Sequence, residues 1–138
     1  RALETLLVED NPVNQELARR LLEKRGYRVT LANNGAEAVE CFEQQAFDLI
    51  LMDIRLSGGD GLALTRAIKA GPSTSDIVVV AFTAHAMKGD EARLRDAGCD
   101  AYVAKPIDVA SFARQVEAAL GAGPPMDLDT LRGEVAER

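Results

Sequence analysis

The feature that most constrains this chain is the alternation of two periodicities. Short apolar runs read as five strands: "TLLVED" at 5–10, "YRVTLA" at 27–32, "FDLILMD" at 47–53, "IVVVAFTA" at 77–84 and "DAYVAK" at 100–105. Helical patterns lie between them. Val13, Leu17, Leu21 and Leu22 share a face in the first, Ala36, Val39 and Phe42 in the second, and Phe112, Val116 and Leu120 in the last. The third, about 61–70, and the fourth, about 86–97, are less periodic. Asn11 before Pro12 predicts a cap and a first-turn proline. Gly26, Gly71, Gly98 and Gly121 each follow a helical segment, where a left-handed C-terminal cap is predicted.

Strict alternation of strand and helix implies parallel strands joined by right-handed crossovers, hence a doubly wound α/β sheet. Three strands are continuously apolar, as strands covered on both faces must be, whereas "RVTLAN" alternates and reads as an edge. With the second strand outside the first, the chain reverses to lay down the third. The predicted order is 2-1-3-4-5, with a crevice between strands one and three.

Composition bounds the function. The chain has 138 residues, 47% of them hydrophobic, which allows one domain with a real core; scarce aromatics (4%, no Trp) mean a core of Leu, Val, Ile and Ala. A formal net charge of −6 argues against a nucleic-acid surface, which would need clustered Lys and Arg. Cys41 and Cys99 lack metal-ligand spacing and read as reduced core residues of a cytoplasmic protein. No apolar run approaches the ~18 residues that span a bilayer, so no membrane contact is expected. Residues 1–121 read as the domain, and 122–138 as a linker and the start of a further helix, with Leu128, Leu131 and Val135 at helical spacing.

Chemistry gathers where the strands end. Glu9 and Asp10 close the first strand, Asp53 the third, Thr83 the fourth and Lys105 the fifth, all at the carboxyl edge where open α/β sheets bind ligands. Three carboxylates in one crevice repel unless a cation sits among them, and a hard divalent ion with oxygen ligands, Mg²⁺ by availability, removes the conflict. Mg²⁺ keeps coordination positions for a phosphoryl oxygen. Asp53, single, central and followed by a glycine-rich loop, is the candidate nucleophile for an aspartyl phosphate. Lys105 and Thr83 would supply a charge and a hydroxyl to phosphoryl oxygens. Singly, an Asp ending a strand is most often the cap of the next loop. Jointly, five such residues would have to coincide.

On "VED" at 8–10, Asp53 with "GGDG" after it, "FTA" at 82–84 and "KP" at 105–106, residues 3 to about 120 resemble the receiver domains of two-component response regulators, a flavodoxin-like fold. The resemblance implies that Asp53 accepts phosphate from a phosphohistidine of a histidine kinase or histidine phosphotransfer domain. It implies that Asp10, Asp53 and the backbone carbonyl of Arg55 hold Mg²⁺, with Glu9 assisting. It also implies a Thr83–Tyr102 switch that alters the face of the fourth helix, fifth strand and fifth helix, and a cis Lys105–Pro106 bond. Arg55 and His85, two residues beyond Asp53 and Thr83, stand where the family tunes phosphate lifetime. A phosphorylation-dependent dimer is compatible with the same resemblance.

Within the family, "NPVNQ" at 11–15 and "TAHAMKGD" at 83–90 look like receivers attached to hybrid sensor kinases and like single-domain regulators. The absent initiator Met and a tail segment, "MDLDTLRGEV", weakly similar to the opening of a phosphotransfer domain, favour the attached form, itself the cytoplasmic part of a membrane-attached kinase. One departure is Ser57, where many members have proline. Two other readings compete. A metal-dependent phosphatase of the haloacid dehalogenase kind would want an acid at Arg55. A receiver-like interaction module that has lost phosphorylation would show gaps among the five site residues, and none is missing.

Overall fold

The computed structural model describes residues 2–55, 61–84 and 88–122. In chain order the elements are β1 (Glu4–Val8), α1 (Pro12–Glu23), β2 (Arg28–Ala32), α2 (Gly35–Gln44), β3 (Leu49–Asp53), α3 (Gly61–Ala70), β4 (Val78–Thr83), α4 (Lys88–Ala97), β5 (Ala101–Ala104) and α5 (Phe112–Ala122). All strand pairs are parallel, in the order β2-β1-β3-β4-β5. This is the predicted doubly wound topology, with the reversal between β1 and β3. Ser57, His85 and residues 123–138 lie outside the described residues, so the expectations for the loop, for His85 and for the tail are not addressed by the fold.

The continuously apolar strands are explained by two cores. Because successive side chains of a strand point to opposite faces, Leu6, Val8, Ile50, Met52, Val79 and Ala81 pack under α2, α3 and α4 through Ala38, Leu62, Ile68, Leu94 and Ala97. Leu7, Leu49, Leu51, Val80, Phe82 and Val103 pack under α1 and α5 through Ala18, Leu22, Phe112 and Val116. Cys99 belongs to the first core and Cys41 packs against it; both are free thiols. Burial pushes the Cys99 thiol up to about 11, so it behaves as a small apolar side chain.

Local signals set the helix starts. The Asn11 side chain accepts from the amides of Val13 and Asn14 (2.9 and 3.1 Å), and Pro12 opens α1. Asn34 caps α2 by accepting from the Glu37 amide, while the Glu37 carboxylate reaches back to the Asn33 amide at 2.7 Å, one residue before the usual partner of a capping box.

Three expectations need correction. Val13 and Val39 are exposed; α1 meets the sheet through Ala18 and the expected Leu22, and α2 through Ala38. Gly26 and Gly98 have the left-handed backbone (φ 92° and 104°). Gly71 does not: the Thr74 hydroxyl caps α3 by donating to the Ile68 carbonyl and occupies the space a Cβ at Gly71 would need. Gly121 lies inside α5 rather than past it.

Candidate functional site

The reversal between β1 and β3 brings the ends of β1, β3, β4 and β5 to one rim. Glu9 extends β1 by one rung, its amide bonding the Ala32 carbonyl at 3.0 Å, and this fixes the backbone that delivers its side chain inward. Glu9 is fully buried and Asp53, the last residue of β3, nearly so. Carboxylate oxygens of Glu9, Asp10 and Asp53 lie within 4.8 Å of one another.

Two backbone amides and one ammonium hold the buried pair Glu9 and Asp53 among the described residues. The Asn11 amide donates to Glu9 Oε2 at 2.9 Å and the Arg55 amide to Asp53 Oδ1 at 3.0 Å. Lys105, just past β5, is tied by its amide to the Thr83 carbonyl (2.8 Å) and precedes a cis bond to Pro106. Its ammonium stands 3.0 Å from Glu9 Oε1, 3.3 Å from Asp53 Oδ1 and 4.8 Å from the centre of the Phe82 ring. One side chain therefore bridges both buried acids.

Burial and the Lys105 charge act on Glu9 in opposite directions. Burial raises the Glu9 carboxyl above its usual range, and the nearby Asp53 charge adds to this; the Asn11 amide and Lys105 pull the other way. Glu9 Oε1 is buried and faces the Lys105 ammonium at 3.0 Å, and among the described residues no backbone amide or hydroxyl donates to it. An all-oxygen donor set of three carboxylates that converge within 4.8 Å, with Glu9 and Asp53 buried, fits a hard divalent cation. The trio could hold a metal.

Of the other predicted residues, Thr83 is buried at the end of β4, one rung beyond the Asp53–Phe82 pair. Arg55 joins the site through its amide, and Tyr102 lies farther out on β5, its hydroxyl donating to Glu91 Oε2 of α4 at 3.2 Å.

Sequence reasoning passed over two contributors. Asn11, read there as a helix cap, also donates its amide to Glu9, so the cap and the acid pair are one structure. Gly61, read as the last glycine after Asp53 and the start of the third helix, is also a close-approach position: a Cβ there would lie 2.3 Å from the Asp53 carbonyl oxygen and 2.9 Å from Ile54 Cα. The signal for Gly61 was its place directly before the first apolar residue of α3.

A family model described as the response regulator receiver domain matches residues 5–117. A polar-differentiation response regulator, DivK, of Brucella anthropi is 44% identical over 116 residues, which span 84% of this chain and 94% of the relative. The receiver domain of a sensor histidine kinase from Pseudomonas aeruginosa, solved with a magnesium ion coordinated in its active-site cleft, is 42% identical with a TM-score of 0.77, covering 88% of this chain and 99% of that one. A chemotaxis response regulator of Vibrio cholerae, 18% identical, shares the fold with a TM-score of 0.82 over 86% of this chain and 99% of its own.

Proposed function

The chain belongs to the response regulator receiver domains of two-component systems, and from that premise we propose that Asp53 is its phosphoacceptor, charged from a phosphohistidine of a histidine kinase or phosphotransfer domain. The observation that carries this is the placement of Asp53 at the rim, with its carboxylate 3.3 Å from Lys105 and within 4.8 Å of the Glu9 and Asp10 oxygens.

In the transfer, an Asp53 carboxylate oxygen attacks phosphorus, the bond to the donor imidazole nitrogen breaks and an acyl phosphate remains on the aspartate. Lys105 moves its charge from two carboxylates to a phosphoryl oxygen. Thr83 offers its hydroxyl to another. The Arg55 amide, already on Asp53 Oδ1, orients the carboxylate, leaving Oδ2 to react. Glu9, Asp10, Asp53 and the Arg55 carbonyl would hold Mg²⁺, which when bound neutralises charge on the transferring group.

Phosphorylation then biases a two-state surface: Thr83 turns toward the phosphoryl group and the Tyr102 ring moves inward, remodelling the face of α4, β5 and α5. Arg55 and His85 govern how water reaches the acyl phosphate. Dephosphorylation of His85→Ala is therefore expected to proceed at a changed rate, and a rate equal to the parent's would sink that role. No helix among the described residues is long and apolar enough to cross a membrane, and we place the domain in the cytoplasm.

Titration with beryllofluoride, an acyl-phosphate mimic, tests the reading directly. Saturable binding is expected in Mg²⁺, with a change in the α4–β5–α5 amide resonances, and loss of both on chelation. Equal binding with and without Mg²⁺, or none at all, contradicts it.

A further inference from the structure

Tyr102 is held by a second element. Its hydroxyl donates to Glu91 Oε2 at 3.2 Å, and the ring is 37% exposed on β5, whose backbone pairs with β4 at Ala81. Glu91 stands in the first turn of α4, the helix that begins five residues after Thr83. The far half of α4 is fixed in the core by Leu94 and Ala97, and Gly98 and Cys99 bond back to the Arg95 and Leu94 carbonyls. The Glu91–Tyr102 bond thus ties the near half of α4, the half closest in sequence to Thr83, to the edge strand.

We propose that Glu91 is a positioning residue, a latch that holds the Tyr102 ring outward in the unphosphorylated chain and thereby sets how much driving force the switch requires. The proposal rests on the reading of Asp53 as phosphoacceptor and of Tyr102 as its moving aromatic. Inward movement of the ring must break the bond to Glu91, so any ligand that favours the inward state works against it. A partly exposed hydrogen bond to a carboxylate biases such an equilibrium by roughly 3- to 10-fold. That is enough to tune the switch and too little to lock it. Consistent with a bond made in the resting state, Glu91 holds the Tyr102 phenol above its usual range, with the Arg95 charge pulling the other way.

The test uses the full chain and three variants, Glu91→Ala, Tyr102→Phe and the double, with two readouts: the beryllofluoride concentration for half-saturation in Mg²⁺, and the ring carbon resonances of ¹³C-labelled tyrosine, with the buried Tyr27 as internal control. Glu91→Ala is expected to lower half-saturation about 3- to 10-fold and to move the Tyr102 resonance toward its beryllofluoride-bound position before any ligand is added. Tyr102→Phe should lower it comparably, and the double variant no further, because both remove one bond. Additive effects, or an unchanged half-saturation in Glu91→Ala, overturn the latch while leaving the phosphoacceptor reading intact. Failure of the unsubstituted chain to bind beryllofluoride overturns that reading, and the latch's regulatory role with it.

Discussion

Asp53→Asn is expected to abolish phosphorylation from any donor and to leave the chain folded. The amide that replaces the carboxylate has no anionic oxygen to attack phosphorus, so the loss is complete rather than graded. The effect on stability should be small, within about 1 kcal/mol, because two consequences oppose each other. Removing one of three clustered acids relieves repulsion, most directly for Glu9, whose carboxyl the Asp53 charge pushes up. Against this, Lys105 loses one of its two partners but keeps Glu9 at 3.0 Å. The stabilisation that added Mg²⁺ gives the parent should shrink sharply, since one ligand of the trio is gone. Phosphate incorporation from a small phosphodonor, with urea unfolding with and without Mg²⁺, measures all three. Undiminished incorporation in Asp53→Asn would move the acceptor to another residue.

The parts of this molecule that could be read from sequence are those where one residue type has one physical use. Strands buried on both faces must be apolar throughout, so β1, β3 and β4 and the reversal between β1 and β3 were legible, and with them the rim where Glu9, Asp10, Asp53, Thr83 and Lys105 meet. Helix faces were less so. Periodicity placed Leu22 correctly but also gave weight to Val13 and Val39, which are exposed, and passed over the small Ala18 and Ala38, which let a helix lie close to the sheet. Glycine was ambiguous as well. Gly26 and Gly98 serve a positive φ, Gly71 leaves room for the Thr74 hydroxyl, and Gly61 admits a neighbouring backbone, and these uses are identical in one-letter code.

That ambiguity supplies the sharpest structural prediction, because the same substitution should act with opposite sign at two helix starts. Gly→Ala in a helix ordinarily stabilises by about 0.4–1 kcal/mol through the unfolded chain. At Gly35, the first residue of α2, the added Cβ would find only Leu64 Cδ2 at 3.9 Å, an ordinary contact, so Gly35→Ala should be neutral to stabilising by that amount. At Gly61, the first residue of α3, the same methyl would lie 2.3 Å from the Asp53 carbonyl oxygen and 2.9 Å from Ile54 Cα, and both are backbone atoms that cannot swing aside. Either α3 or the end of β3 must retreat, and overpacking of this kind costs about 1–3 kcal/mol. Retreat of β3 also moves the carboxylate of Asp53 relative to Lys105 and Glu9, and misplacement of a reacting group by about 1 Å can lower a rate ~100-fold. Gly61→Ala should therefore lose phosphorylation rate well beyond its loss of stability, whereas Gly35→Ala keeps both. Urea midpoints and phosphodonor kinetics on the two variants decide the matter. If Gly61→Ala gains stability as Gly35→Ala does, the close approach of α3 to Asp53 is not what positions the acceptor.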